Sequence, residues 1–468
     1  VLGIDLESAI DFKVYLPSLE TWFWGEMHKS ACVLPPPVNP LAPPKVLMGC
    51  PLWGDEFVAR FTTLCLPTLM APRNRAALLG RCQVVFFTDA KSFKGINYLA
   101  RDMTAAGLPT TVHVIPQPIM DFNNGIEYEK VHQAHKRLIA RNAPAAEIEE
   151  AHRHSLAVGS TLNKYWLLGV TQQILVWMAG KAGMGFHSLF PDHLYAEAYF
   201  ENMWRIAEQA PDGGIAQTGI SADIHSCLPE IEKFRQADGS LVIPDLELGD
   251  MGWRHLHKQM RGNIMGKSDL ATDMPNSHYM FWVGKERLHI NCCHMNAVWI
   301  PPSKTSVAPI KLYNAIDTML PLFMPKQVYI PDALDGLGFL EVSDNLKNES
   351  APRVDFATYA ATAWNQCHLS DDWNPFFEAS CEVPIKEQTE YTEDAEIQKQ
   401  QATVVAWLKA AKPLVKETLE AAQKKQEERI AALKAGLTNG APKSKRALKR
   451  QMQAKKRHNG AEHHAGAD

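Results

Sequence analysis

Several short runs in the first half of the chain are apolar along nearly their whole length: Val46-Leu47-Met48-Gly49-Cys50-Pro51, Val84-Val85-Phe86-Phe87-Thr88 and Phe186-His187-Ser188-Leu189-Phe190. A strand with one wet face alternates apolar and polar residues, whereas a strand covered on both faces does not need to. Between the first two runs lies a helix-like stretch, Glu56 to Met70, with Phe57, Phe61, Leu64 and Leu69 on one side. A second helical stretch near 92–106 precedes a further strand, Thr110 to Ile115. Strand, helix, strand, helix, strand predicts a parallel sheet of the doubly wound α/β type.

Two of these runs stop on an aspartate, Asp89 and Asp192, and a third run, Val328-Tyr329-Ile330-Pro331, stops on Asp332. Open α/β sheets bind ligands beyond the carboxyl ends of their strands. A carboxylate there can hold a divalent cation, accept from a ribose hydroxyl or act as a base. Aspartate is equally a common turn and helix-capping residue. Asp192 is followed by His193, Tyr195 and a helix-like stretch near 195–209, which predicts a strand-to-helix turn.

The rest of the chain divides by composition. Residues 1–44 read as an extended Pro-rich arm ending in Pro35-Pro36-Pro37 and Pro43-Pro44, with Trp22, Phe23 and Trp24 as its packing residues. Residues 45–385 read as one α/β domain. Within it, 125–182 is a long helical stretch broken near Asn142-Ala143-Pro144. Its end, Tyr165 to Met178, reads as a core helix, and Trp53, Tyr165 and Trp166 as core aromatics. Residues 213–219 read as a strand, 225–237 and 245–260 as helical, and 278–300 as a hairpin turning at Gly284-Lys285. His255 and His257 fall on a polar, surface helix.

Residues 386–440 form a helical extension in which Val404, Leu408, Val415, Leu419, Ile430 and Leu433 recur at helical spacing, interrupted by Pro413. A lone apolar stripe needs a partner, so this element docks on the body, on a second copy or on another protein. Residues 441–468 are a basic tail, a contact for an anionic partner such as nucleic acid or a solubilising end. The net charge of −4 over 468 residues excludes a polyanion binder as a whole. No run of about twenty apolar residues exists, so no membrane span is expected. The nine cysteines have no CxxC repeat and several sit in apolar runs, which predicts buried thiols and a cytoplasmic setting. No phosphate-loop, dinucleotide G-x-G-x-x-G or G-x-S-x-G pattern occurs.

The chain resembles bacterial glycosyltransferase-like proteins with a GT-A, or nucleotide-diphospho-sugar transferase, type of fold over residues 45–345. The pieces that carry the resemblance are Asp55 to Phe61 with Leu66-Pro67-Thr68-Leu69-Met70-Ala71-Pro72, the Phe87-Thr88-Asp89 and Leu189-Phe190-Pro191-Asp192 strand ends, Leu288 to His294, Ile316-Asp317, and Tyr329 to Asp332. The resemblance implies a mainly parallel central sheet flanked by helices and sugar transfer from a nucleotide-sugar donor. It also implies an Asp-x-Asp element that holds Mn²⁺ or Mg²⁺ against the donor diphosphate. Here position 194 is leucine, so Asp192 stands without its second carboxylate. By this resemblance Asp192 is the metal residue, Asp89 suits the nucleotide, and His289 or His294 suits a diphosphate or metal contact. Both histidines read equally well as packing residues, and the Cys292-Cys293-His294 cluster does not have zinc-site spacing. A non-catalytic assembly protein on the same fold is the alternative.

Overall fold

A computed structural model describes residues 45–123, 136–139, 141, 144, 147–148, 164–261, 278–292, 297–306, 324, 327–331, 336–344 and 380–386. The chain divides into two compact units, Val1–Val415 and Lys416–Asp468, and all described residues belong to the first. The N-terminal arm, residues 387–440 of the helical extension and the basic tail lie outside the described residues, as do Cys293, His294, Asp317 and Asp332.

Strand β1 (Val46–Pro51) leads through a turn into helix α1 (Asp55–Arg60), a π turn (Phe61–Cys65) and α2 (Leu66–Leu69). Pro67 has no N–H to return to residue 63, and the Thr62 and Thr63 hydroxyls donate back to the Val58 and Ala59 carbonyls. The helix widens where those bonds are rearranged. Helix α3 (Pro72–Leu78) precedes β2 (Cys82–Thr88), then α4 (Phe93–Ala105), β3 (Thr110–Val114) and α5 (Gln117–Asn123). Helix α6 (Lys164–Lys181) returns the chain to β4 (Gly185–Ser188). Its Leu167, Val170, Ile174, Leu175 and Met178 are buried, as expected of a core helix.

The next segment corrects the expectation of a helix from 195. Residues His193–Tyr195 form a short strand, β5, and helix α7 spans Tyr199–Gln209. Asp192 therefore joins two strands rather than a strand and a helix. Leu194 and Tyr195 are fully buried against the core, and pairing with a distant strand outweighs local helix propensity. Strands β6 (Gly214–Gln217) and β7 (Ile220–Asp223) follow, then α8 (Ile224–Ile231), α9 (Asp245–Arg254) and α10 (Lys258–Arg261). His257, expected on a polar surface, is buried between α9 and α10, with its backbone N–H donating to the Ser221 carbonyl. The expected hairpin exists as β8 (His278–Gly284) and β9 (Arg287–Cys292). Its continuation, β10 (Ala297–Ile300), leaves the hairpin for the central sheet; α11 (Pro302–Thr305), β11 (Val328–Tyr329), β12 (Phe339–Ser343) and β13 (Ser380–Pro384) complete the described elements.

The central sheet has seven strands in the order β11-β6-β10-β4-β1-β2-β3. All neighbouring pairs are parallel except those made by β10, which runs antiparallel to both β4 and β6. Helices cover both faces. Phe61, on the helix after β1, meets Phe86 of β2 edge-to-face at 5.1 Å. On the opposite face α6 lies so close to β1 that a Cβ on Gly49 would stand 2.6 Å from Leu175. Two three-stranded sheets, β5-β12-β7 and β13-β9-β8, complete the described architecture. Among the described residues no helix is long and apolar enough to cross a membrane.

Candidate functional site

Strand order reverses at β1: the chain moves from β1 to β2 and β3 on one side, then crosses through α6 to β4 on the other. In an open α/β sheet the crevice forms outside the carboxyl ends of the strands at that switch point. Four segments leave the sheet at this edge. They are Leu52-Trp53-Gly54-Asp55 after β1, Asp89-Ala90-Lys91-Ser92 after β2, Ile115 after β3 and Leu189-Phe190-Pro191-Asp192 after β4. The sheet hydrogen bonding continues into them. Leu52 N–H donates to the Phe87 carbonyl at 2.7 Å, Ile115 N–H to Thr88 at 2.7 Å and Leu189 N–H to Gly49 at 2.9 Å. Asp89 and Asp192 therefore stand on one sheet edge.

Their side chains have different surroundings. One Asp89 oxygen accepts from the Ser92 N–H at 2.6 Å, and the Asp89 carbonyl accepts from Phe93 N–H at 3.1 Å, so Asp89 closes the turn into α4. Asp192 is half-buried. Its carbonyl accepts from the Val342 N–H at 2.9 Å, which anchors it to β12. The Arg60 guanidinium donates to the carbonyl of the same Val342 at 2.9 Å and pairs with Glu56, tying the helix after β1 to that strand. Across the mouth, Lys91 Nζ meets Asp55 Oδ2 at 2.7 Å. Asp55 first, and Asp89 behind it, hold the Lys91 ammonium above its ordinary pKa. Trp53 and Phe190 are each half-buried, so Trp53 lines the edge instead of filling the core.

Gly54 adopts φ 80°, which a side chain resists, and it sets the tight turn that opens α1. The first helical residues there are Asp55 and Glu56. Two acids at a helix N-terminus repel a bare anion and attract a cation. With Asp55, Glu56, Asp89 and Asp192 against Lys91 and Arg60, the edge keeps an excess of acid.

The groups beneath the edge are not nucleophiles. Burial pushes the Cys50 and Cys65 thiols well above their ordinary range, and the Asp192 charge adds to that. Cys82, Cys227 and Cys381 are also buried free thiols, and burial raises Cys227 to about 12. His193 lies between Phe190 and Phe339, with ring centroids at 4.6 and 4.9 Å. Burial lowers both His193 and His187 to about 3, so both are neutral.

His289 lies on β9, in the sheet β13-β9-β8, opposite Glu382. Burial lowers it to about 4, which leaves a neutral imidazole. The structure thus brings Asp89 and Asp192 to one edge and sets His289 on another sheet. Among the described residues no three His, Cys, Asp or Glu side chains converge as a metal cage. One or two carboxylates with substrate phosphate oxygens and water is nonetheless a donor set that suits Mg²⁺ or Mn²⁺. Sequence reasoning missed the Asp55–Lys91 bridge and the buried ring of His193. The only local signal for the bridge was an acid and a lysine, each just beyond a strand end.

No family model matches the chain, and no curated protein matches it. Among solved structures, the apo form of mouse xyloside xylosyltransferase 1 matches with 11% identity and a TM-score of 0.25, covering 62% of this chain and 85% of that one.

Proposed function

We propose that the chain is a glycosyltransferase-like protein of GT-A type that transfers a sugar from a nucleotide-diphospho-sugar donor. One observation carries the reading: the switch-point edge of a mainly parallel sheet presents Asp89, Asp192 and half-buried Trp53 together. The strand order supports it as well. Numbered among themselves in chain order, the seven strands run 3-2-1-4-6-5-7 with the sixth reversed, a mainly parallel sheet whose order turns at the first strand, where a nucleotide crevice can form.

The chemistry follows from charge. A donor diphosphate entering an acidic edge needs a cation to join it to the carboxylates. Mg²⁺ or Mn²⁺ would be held by Asp192, and when bound would neutralise the departing diphosphate. Asp89 keeps one oxygen on the Ser92 amide, and its carboxylate would serve as the ribose or base acceptor. Lys91 can leave Asp55 for a phosphate, because an exposed ion pair is weakly held. The residue that takes the acceptor's proton, the acceptor and the donor sugar stay unassigned.

A second reading, a non-catalytic assembly protein on the same fold, is favoured by Leu194. The position where a second carboxylate would stand is a fully buried leucine in β5. A melting-temperature screen separates the two. UDP or GDP with Mn²⁺ is expected to raise the transition by binding the native state. No shift with any nucleoside diphosphate would favour the assembly reading.

A further inference from the structure

Under the edge, between helix α7 and the sheet, lies a seam of buried aromatic and amide side chains. Its rings form a continuous series: His193 to Tyr195 at 6.1 Å, Tyr195 to Tyr199 at 4.8 Å, Tyr199 to His187 at 6.2 Å, His187 to Trp204 at 6.1 Å and Trp204 to Trp299 at 5.3 Å. Tyr199 donates its hydroxyl to the Gln217 side-chain oxygen. Every member is at most 6% exposed.

Seven polar atoms here have no hydrogen-bond partner: both His187 nitrogens, His193 Nδ1, the Tyr195 hydroxyl, Gln217 Nε2 and the Trp204 and Trp299 indole nitrogens. The Ser188 carbonyl stands by the His187 ring and the Phe190 amide by the Tyr195 oxygen, but neither reaches hydrogen-bond geometry. An unsatisfied buried donor or acceptor costs about 1–3 kcal/mol, so seven in one seam exceed what a marginally stable domain tolerates.

We propose that ordered water molecules are bound in this seam, bridging His187 to the indole, amide and hydroxyl donors around it. The donor balance selects the ligand. Tyr195, Gln217, Trp204, Trp299 and one His187 N–H offer hydrogens, and the other His187 ring nitrogen accepts. Water accepts from two of the former and donates to the latter, as buried waters with 2–4 protein partners do. An anion does not fit, because both imidazoles are neutral and a buried uncompensated charge is costly. The bridged seam fastens α7 to β4, β6 and β10 and supports the β5 turn that carries Asp192.

A crystal structure with ordered solvent resolved tests this on the unaltered chain. Solvent peaks within hydrogen-bond distance of His187 and of at least one of Trp299, Gln217 and Tyr195 are expected. Direct side-chain bonds with no solvent peak would overturn the proposal. His187→Phe gives an independent readout at pH 7.5. It removes the bridging acceptor and is expected to lower the melting temperature by several degrees, whereas a dry seam gains by losing an unpaired imidazole. An unchanged or raised melting temperature overturns the proposal.

Discussion

Asn74 is fully buried and uses its whole amide. Its nitrogen donates to the Thr68 and Ala196 carbonyls at 3.0 and 2.8 Å, and its oxygen accepts from Phe200 N–H at 3.1 Å. One side chain thus joins the end of α2, the segment after β5 and the start of α7. Asn74→Ala strands three backbone groups in the core and is expected to destabilise by on the order of 2–4 kcal/mol, read from the midpoint of urea unfolding. The buried histidines give the second prediction at this scale. His187 and His193 titrate near 3 when folded and near the ordinary 6.5 when unfolded. The unfolded chain therefore takes up protons first, so stability is full above about 6.5 and falls as the pH drops toward the folded value. Between pH 6.5 and 5 the loss is about 2 kcal/mol per histidine. Denaturant midpoints against pH measure it, and His193→Phe is expected to remove part of the slope.

At the scale of elements, close approach to glycine backbone sets the packing. A Cβ on Gly185 would stand 2.1 Å from the Trp299 ring, where β10 crosses β4. Gly185→Ala is expected to displace that indole and cost about 1–3 kcal/mol, with a change in tryptophan emission as the check. Here too lies the boundary of what the sequence discloses. Strands β1, β2 and β4 were legible because runs covered on both faces are apolar throughout, and the helical stretch after β1 because Phe57, Phe61, Leu64 and Leu69 fall on one side. The β5 strand was not, because His-Leu-Tyr has no period of its own and is extended only by pairing with Phe339–Glu341. The departure of β10 into the central sheet was equally hidden. Sheet order is a long-range property, and the run from Tyr279 to Ile300 reads locally as one hairpin. Burial of His257 escaped notice because its partners lie on β7, more than thirty residues upstream.

For the molecule as a whole, the doubly wound sheet accounts for where chemistry can occur. Asp89 and Asp192 were visible as strand ends, and their shared edge follows from parallel pairing through β1. The place of His289 on a separate three-stranded sheet was not legible, since no rule of local sequence sets where a hairpin packs, and His294 lies outside the described residues. If the acidic edge is a metal-dependent nucleotide site, chelation is expected to abolish nucleotide binding, and Mn²⁺ or Mg²⁺ to restore it. The most direct test is calorimetric titration of UDP and GDP, with and without Mn²⁺, into the unaltered chain and Asp192→Asn. The account predicts metal-dependent binding to the unaltered chain that is lost in Asp192→Asn at an unchanged melting temperature. Absence of binding by either nucleotide, or equal metal-dependent binding by both proteins, would contradict it.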